Sequence, residues 1–308
     1  MRVRLVGLGA IGAAYGSRMA AGAADFAVIA EADRAQRYRE QPTWVNGVEQ
    51  RFPLVLPQAA EPVELIVVAV KAAALRDAIE LMHGWVGEGT VILSLLNGID
   101  SEQILAEAFP EAFVPLALSV GIDAVREGRH IRYNSLGRIV FGAAGTPDEA
   151  QATSLTAVSK LFARVGIDDD LRTDMVHQLW WKFLINVGVN QVSAVLGAPY
   201  GAFQTEGAPA RAAMLAAQAE VVAVAQAEGV MLTQADVESW LEVLSALGPD
   251  KFTSMAQDTL TGRDTEVDIF SGRVCELGRA HGIATPVNEL LGQLLRAQPT
   301  LPPRRFGI

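Results

Sequence analysis

The sequence is poor in cysteine and histidine, and this scarcity limits its chemistry. Cys275 is the only cysteine among 308 residues, so an internal disulfide and a thiolate metal cluster are excluded. The four histidines lack the spacing of an HExxH motif, and no GxSxG segment marks a nucleophilic serine. The sequence therefore predicts neither a metal site nor a serine hydrolase, and its cysteine usage favours a cytoplasmic protein.

The chain also lacks an excess of positive charge. Lysine and arginine number 25 against 35 aspartates and glutamates, which gives a formal net charge of −10. General binding to nucleic acid or to an anionic membrane is therefore not expected, and an anionic ligand must be bound by local groups. Half of the residues are hydrophobic and 19% are charged, as in ordinary folded proteins.

No long apolar run is free of polar residues. Residues 183–205 carry no formal charge and are long enough to span a bilayer, but they contain Asn186, Asn190 and Gln191, whose amides are costly to bury in hydrocarbon. A buried helix is the favoured interpretation. The first residues have a faint basic and then apolar order like a signal peptide, but their glycine spacing favours a folded element.

Short β-rich runs alternate with helical runs in the first half, which predicts parallel βαβ units. Asn46-Gly47 between apolar residues predicts a hairpin. After about Asp174 only helical periodicity remains, so the predicted domains are residues 1–172 and 173–308, with a loose tail at 301–305. The expected strands are 2–6, 26–30, 65–70, 90–94, 113–119, 129–133 and 138–141, and the expected early helices are 12–20 and 72–82.

A glycine-rich segment follows the first predicted strand and opens the first predicted helix. Its residues, all expected to bind a dinucleotide, are Gly7, Leu8, Gly9, Ala10, Ile11 and Gly12. The first glycine permits a tight turn, the second allows the backbone to approach a pyrophosphate, and the third allows close helix–strand packing. The pattern predicts a Rossmann-like dinucleotide-binding domain; the alternative is a glycine-rich turn without a ligand.

The residues after the second predicted strand bear on the choice of dinucleotide. Glu31 lies 19 residues after Gly12, close to the ~20 expected of an acidic residue that binds the adenosine ribose, which favours NAD. Arg34 is in the same loop, and a guanidinium there can pair with the additional phosphate of NADP. Alternatively, these charges belong to a solvated helix start. The local pattern leaves both cofactors open.

Two further polar side chains come directly after predicted strands. Lys71 follows LIVVAV and Asn97 follows VILSLL. Ligands of parallel sheets collect outside the carboxyl ends of the strands, so Lys71 can meet cofactor phosphate or ribose, and Asn97 can orient a nicotinamide or a substrate carbonyl. The alternatives are a helix cap for Lys71 and a turn residue for Asn97.

A polar stripe runs along a predicted helix in the second half. In WWKFLINVGVN, Lys182, Asn186 and Asn190 are four residues apart, and steps of four drift by only ~40° around an α-helix. Ser193 returns to the same side. A lysine among apolar residues is costly unless it is paired or functional, and two amides can bind a small oxygenated molecule. The alternative is that the stripe bonds to protein backbone.

The chain resembles the ketopantoate reductase (2-dehydropantoate 2-reductase) family over nearly its whole length. The resemblance depends on the order of six motifs along the chain, which are GLGAIG, VAVKA, LLNG, WWKFLINVGVN, TSMAQD and GRDTEVD. The resemblance implies an α/β, Rossmann-like N-terminal domain and an all-α C-terminal domain of the 6-phosphogluconate dehydrogenase type, with the active site in the cleft between them. It also implies NADPH-dependent reduction of ketopantoate to pantoate, on the route to pantothenate and coenzyme A.

The same resemblance implies roles for individual residues. Lys182 would be the general acid, because a ketone that accepts hydride gains negative charge on oxygen, which an ammonium stabilises and protonates. Glu266 would lie beside the cofactor ribose and the reacting groups. The implied substrate ligands are Asn97, Lys182, Asn186, Asn190 and Ser254, and the further implied cofactor contacts are Lys71, Asn97, Ala124 and Glu266.

Three positions differ from the family pattern. Glu31 replaces an arginine that holds the NADP phosphate in most members, Gln191 replaces a proline, and Tyr200 lies near the place of a further substrate asparagine. NADP(H) is the predicted cofactor, and NAD(H) stays open because of Glu31.

The alternatives to ketopantoate reduction are a reductase of another small 2-keto acid and a non-catalytic cofactor-sensing protein. The predicted partner is the ketoacid substrate, with neither nucleic acid nor a membrane. The Ala-rich segment 208–228 leaves a homodimer open, although packing within the helical domain is the favoured use of that segment.

Overall fold

The structure, a computed structural model, describes residues 1–300 of the chain. The tail expected at 301–305 lies outside the described residues. The chain divides into two compact units, of which the first is Met1–Val176 and the second begins at His177. The division expected after residue 172 lies four residues earlier and stays a prediction.

Strands and helices alternate along the first unit. The strands are β1 (Arg2–Val6), β2 (Asp25–Ile29), β3 (Thr43–Val45), β4 (Val48–Gln50), β5 (Leu54–Val55), β6 (Leu65–Val68), β7 (Val91–Ser94), β8 (Leu116–Val120), β9 (Val125–Glu127), β10 (His130–Arg132), β11 (Arg138–Gly142) and β12 (Asp168–Leu171). The helices are α1 (Ala10–Gly22), α2 (Ala32–Glu40), α3 (Leu75–Met82), α4 (Ser101–Ala108) and α5 (Glu149–Val165), with 3-10 turns at Pro57–Ala59 and Ala72–Ala74. The predicted α/β character of this half is confirmed.

The central sheet is parallel throughout, with strand order β5-β2-β1-β6-β7. Every residue of β6 and β7 is buried, which suits the mostly aliphatic sequence of these strands because parallel sheets are covered on both faces. The strand order reverses at β1, with β2 and β5 on one side and β6 and β7 on the other. The turn after β1 therefore opens at the position where such sheets bind ligands.

Two smaller sheets have the orders β4-β3-β10-β9 and β12-β11-β8. Strands β3 and β4 are antiparallel, and the two residues that connect them, Asn46 and Gly47, have φ angles of 48° and 78°. Positive φ at both positions is typical of a type I′ turn, so the predicted hairpin is confirmed. The Asn46 side chain also exchanges hydrogen bonds with the backbone of Tyr133, at 3.0 and 2.9 Å.

Two predicted elements begin three residues later than expected. The segment 72–82 starts as the 3-10 turn Ala72–Ala74 before α3. The strand expected from residue 113 begins at Leu116, and Phe113 makes only an isolated bridge with Val91. Pro115 explains this late start because it has no N–H to donate to a continuous ladder.

From Met175 the described chain is helical. The helices are α6 (Met175–Ile185), α7 (Gln191–Leu196), α8 (Gly201–Gln204), α9 (Pro209–Ala227), α10 (Gln234–Ala246), α11 (Ser254–Leu260), α12 (Ser271–His281) and α13 (Pro286–Ala297), with a π turn at Asn186–Asn190 and 3-10 turns at Val267–Ile269 and Gln298–Thr300. The second unit packs around Phe203, Met214 and Trp240. Its predicted all-α character is confirmed, and none of the helices within residues 1–300 has the length and apolarity of a membrane span.

Candidate active site

The loop between β1 and α1 requires glycine at two positions. Gly7 has a φ of 100°, and a Cβ on it would lie 2.6 Å from the carbonyl oxygen of Ala69. A Cβ on Gly12 would lie 2.1 Å from the carbonyl oxygen of Gly7. Gly7 therefore permits the turn, and Gly12 permits the close approach of α1 to that turn, as the motif predicts.

Gly9 is different, because nothing inside the protein demands a glycine there. Its φ is −71°, and a Cβ on it would meet only the Ala69 oxygen, at 3.8 Å. Gly9 is also the N-cap of α1, and no side chain caps this helix end. The open space and the uncapped N–H groups fit a dinucleotide whose pyrophosphate approaches the backbone at a helix N-terminus.

A cleft lies beside this loop, where β2 ends. Its lining includes Gly7, Leu8, Glu31, Arg34, Tyr38 and Asp77. The structure thus brings the glycine loop together with both residues expected to distinguish NAD from NADP. Within residues 1–300, the side chains of Glu31, Arg34 and Asp77 form no ion pair or hydrogen bond with the protein, so all three are available to a ligand.

The other cofactor contacts expected in the first unit lie on turns next to strands. Lys71 is exposed after β6 and Asn97 is half-buried after β7. Because β6 and β7 are parallel neighbours, these two residues follow the same edge of the sheet. Gly98, with a φ of 94°, turns the chain directly after Asn97, and Ala124 is half-buried just before β9.

In the second unit, the predicted polar stripe lies where the helix changes type. Lys182 is in the last turn of α6, and Asn186 and Asn190 are the first and last residues of the π turn. The Asn190 amide donates to Asn186 Oδ1 at 3.2 Å, so these side chains share a face. The expectation of a regular α-helix is wrong here; π turns inside helices are frequent at functional sites.

The next two polar residues along the chain are used inside the fold. Gln191 is fully buried; its amide donates to Val187 and Asn288, and its oxygen accepts from the Ser271 N–H at 3.1 Å. The Ser193 hydroxyl donates to the Ala198 carbonyl at 2.6 Å. Ser193 therefore holds the turn after α7, and Gln191 joins α7 to α12 and α13.

The remaining expected site residues lie around α11 and the turn that follows it. Ser254 is the exposed first residue of α11, and the Thr253 hydroxyl caps this helix by accepting from the Ala256 N–H at 3.2 Å. Glu266 is half-buried immediately before the turn Val267–Ile269. Burial raises the pKa of the Tyr200 hydroxyl above its ordinary value, so this group stays protonated at neutral pH.

Sequence reasoning missed three residues beside the glycine loop. Tyr38 and Asp77 line the cleft, and the spacing of Tyr38 four residues after Arg34 on one helix was a usable signal. Arg126 donates from Nη1 to the Leu8 carbonyl at 2.9 Å. No local pattern predicts that contact, because the two residues are 118 positions apart.

Family models match both units of the chain. The model described as ketopantoate reductase PanE/ApbA matches residues 3–146, and the model for the C terminal of ketopantoate reductase PanE/ApbA matches residues 174–298. The chain belongs to the ketopantoate reductase family. Three predictions are confirmed at the level of the family. They are the family itself, its two-part fold, and an oxidoreductase of the 2-dehydropantoate 2-reductase type.

Curated relatives and solved structures agree with this assignment. A 2-dehydropantoate 2-reductase of Halobacterium salinarum is 29% identical over 96% of this chain and 98% of the relative, and one of Pyrobaculum aerophilum is 29% identical over 97% and 98%. A PanE/ApbA family ketopantoate reductase of Ralstonia eutropha has a TM-score of 0.80 at 26% identity, covering 97% of this chain and 99% of that one. D-mandelate dehydrogenase with NADH and anilino(oxo)acetate has a TM-score of 0.85 at 23% identity with the same coverage, which shows the shared fold.

Proposed function

We propose that this family member reduces ketopantoate to pantoate, as a cytoplasmic step on the route to pantothenate and coenzyme A. The observation that carries the proposal is the stripe of Lys182, Asn186 and Asn190 across the end of α6 and the π turn. It combines one cation with two amides within residues 179–190, which are otherwise apolar. That set is suited to a small acid with carbonyl, hydroxyl and carboxylate oxygens.

Lys182 is proposed as the proton donor. The bound nicotinamide supplies the hydride. As the ketone carbon is reduced, negative charge develops on its oxygen, and the Lys182 ammonium stabilises that charge and protonates it. Asn186 and Asn190 orient the substrate through their amides, which already align with each other at 3.2 Å.

The remaining predicted contacts keep their proposed roles. Ser254 is exposed at the start of α11, and its hydroxyl donates a hydrogen bond to the substrate. Asn97 binds substrate and nicotinamide, and Glu266 binds the cofactor ribose. Lys71 and the chain at Ala124 bind the cofactor, and the loop Gly7–Gly12 holds its pyrophosphate; the open backbone at Gly9 supports this last assignment.

The proposed cofactor is NADP(H), with Arg34 as the group that pairs with the 2′-phosphate. Arg34 lines the cleft and has no carboxylate partner among residues 1–300, so its guanidinium can form a bidentate pair with phosphate.

NAD(H) is the second candidate, and a specific observation favours it. Glu31 and Asp77 line the same cleft, so two carboxylates accompany the one guanidinium. Carboxylates accept hydrogen bonds from ribose hydroxyls and repel a phosphate at that position.

The test is the initial rate of the purified protein with ketopantoate, measured in parallel with NADPH and NADH at matched concentrations. Turnover with NADPH at the higher kcat/KM supports the whole proposal. Turnover only with NADH retains the reaction and replaces the cofactor. Absence of turnover with both would overturn ketopantoate as substrate, and a panel of other branched 2-keto acids then separates a related reductase from a non-catalytic sensor.

A further inference from the structure

Arg126 connects the edge of a small sheet to the glycine loop. It lies in β9, and its Nη1 donates to the Leu8 carbonyl at 2.9 Å while its Nε donates to the Gly128 carbonyl at 2.8 Å. Two bonds from different nitrogens fix the plane of the guanidinium. Leu8 is the residue between Gly7 and Gly9, so the fixed cation lies against the middle of the loop.

The glycine loop itself provides no full charge. Residues 7–12 are uncharged, and the first turn of α1 has no acidic side chain. The helix end supplies only partial positive charge, equivalent to ~0.5 of an elementary charge. A pyrophosphate carries full negative charges. A guanidinium held beside the loop therefore adds the full positive charge that the backbone lacks.

The charge of Arg126 is not neutralised by the protein. No carboxylate within residues 1–300 forms an ion pair with it. The neighbouring guanidinium of Arg129 has a lowered pKa because of burial and of repulsion by Arg126 and Arg37, although Tyr38 acts in the opposite direction. An uncompensated group of cations on a chain with a net charge of −10 indicates a local site for an anion.

Arg126 keeps hydrogen-bonding capacity after these contacts. A guanidinium has five N–H groups and stays charged at all physiological pH values, and the two contacts to carbonyls use only two of those groups. Arginine is also the side chain whose planar fork suits bidentate binding of phosphate.

We propose that Arg126 is a positioning residue for the cofactor: it holds the Leu8 carbonyl, fixes the shape of the glycine loop, and places a positive charge beside the pyrophosphate. The inference rests on the proposed use of a nicotinamide dinucleotide, but not on ketopantoate as substrate. It assigns a role to a residue outside the glycine motif and outside the substrate-binding stripe.

Binding measurements test the proposal without turnover. The dissociation constants of NADPH and NADH are measured by fluorescence, and those of ADP-ribose and adenosine by competition, for the wild type, Arg126→Gln and Arg126→Lys. Arg132→Gln is the matched control, since Arg132 is an exposed arginine in the adjacent strand β10 whose side chain forms no hydrogen bond or ion pair within residues 1–300.

Arg126→Gln is expected to weaken the binding of NADPH, NADH and ADP-ribose by about tenfold, because one charge-assisted contact is lost. The affinity for adenosine should stay unchanged. It should also flatten the dependence of Kd on salt concentration, which a purely structural role would not do. Arg126→Lys should restore the salt dependence and part of the affinity. Arg132→Gln should bind like the wild type.

An equal loss of affinity for adenosine and for ADP-ribose would overturn the proposal, because Arg126 would then only shape the fold. Wild-type affinity in both Arg126 variants would overturn it as well. A wild-type protein that binds neither dinucleotide would overturn the cofactor part of the proposed function together with this inference, whereas normal dinucleotide binding without ketopantoate turnover would affect only the substrate.

Discussion

The hydroxyls of Ser94 and Ser101 lie 2.7 Å apart and close the base of the loop that carries Asn97. The single hydroxyl hydrogen of Ser101 is used in a hydrogen bond to Glu102 at 2.8 Å, so Ser94 must be the donor in the serine pair. The Leu96 N–H in turn donates to Ser94 Oγ at 3.3 Å. A buried chain of hydrogen bonds therefore holds both ends of this loop.

Ser101→Ala should destabilise the protein by about 1–3 kcal/mol, because it removes a donor from the buried Glu102 and an acceptor from Ser94. Urea unfolding at pH 7 measures this loss. Ser245→Ala removes an exposed hydroxyl and is the control, with an expected change within about 0.5 kcal/mol. Equal effects of the two substitutions would contradict the role given to the buried chain.

Lys182→Ala should lower kcat with ketopantoate by about 10²–10⁴-fold, because the developing oxyanion loses its proton donor. The Kd of the cofactor should change less than twofold, since Lys182 is assigned to the substrate. Lys160→Ala should retain the wild-type rate, because Lys160 is an exposed lysine of α5 whose side chain forms no hydrogen bond or ion pair within residues 1–300. A Lys182→Ala protein that binds cofactor and keeps most of its turnover would disprove the mechanism.

Glu31→Arg should raise the ratio of kcat/KM for NADPH over NADH by about tenfold, because a carboxylate that repels the 2′-phosphate becomes a group that pairs with it. Asp77→Asn should move the ratio in the same direction by a smaller factor. Glu88→Arg, an equal change of charge at an exposed position outside the cleft, should leave it unchanged. If the ratio does not move in the Glu31 variant, Glu31 does not contact the adenosine ribose.

Gly188→Ala should destabilise the second unit by about 1–3 kcal/mol through overpacking of the π turn. A Cβ on Gly188 would lie 2.5 Å from Cγ of Gln218 on α9, and Gln218 is fully buried. Thermal unfolding of Gly188→Ala, Gln218→Ala and the double variant measures the coupling. The double variant should lose less stability than the sum of the single losses; strict additivity would show that the close approach of α9 is not the reason for this glycine.

Asp169→Asn should stabilise the protein at pH 7. Burial raises the pKa of Asp169, and the neighbouring Asp170 and Asp168 raise it further, although a hydrogen bond from Ser159 acts in the opposite direction. The native state therefore binds the proton more tightly than the unfolded state, and stability falls as the pH rises through the raised pKa.

The stabilisation by Asp169→Asn should be within about 1 kcal/mol at pH 7, since Asp169 is only partly buried, and it should vanish as the pH falls below the ordinary aspartate range. Unfolding midpoints between pH 3 and 7 measure it. Asp250→Asn, at an exposed position, should show no such trend. A benefit that grows toward low pH would reverse the assigned sign.

Features set by neighbouring residues could be predicted from the sequence. Glycine's backbone freedom explains the Asn46-Gly47 turn and the glycine loop. The period of the hydrophobic residues explains the change from alternating elements to helices after Asp174. The stripe could also be found, since Lys182, Asn186 and Asn190 repeat at a helical interval.

Features that depend on distant partners could not be predicted. The π turn at Asn186–Asn190 accompanies the packing of Gly188 against Gln218, and the burial of Gln191 depends on acceptors and donors of α12 and α13. Neither has a local signal, because the partners are tens of residues away along the chain.

The sequence by itself thus determined the family, the order of the elements and the residue types available for chemistry, because these depend on local spacing. The tertiary structure alone placed Asp77 in the cleft with Glu31, and brought the guanidinium of Arg126 to the Leu8 carbonyl. Contacts between residues tens of positions or more apart form only when the whole chain gives up its conformational entropy and folds. No local sequence pattern therefore predicts them.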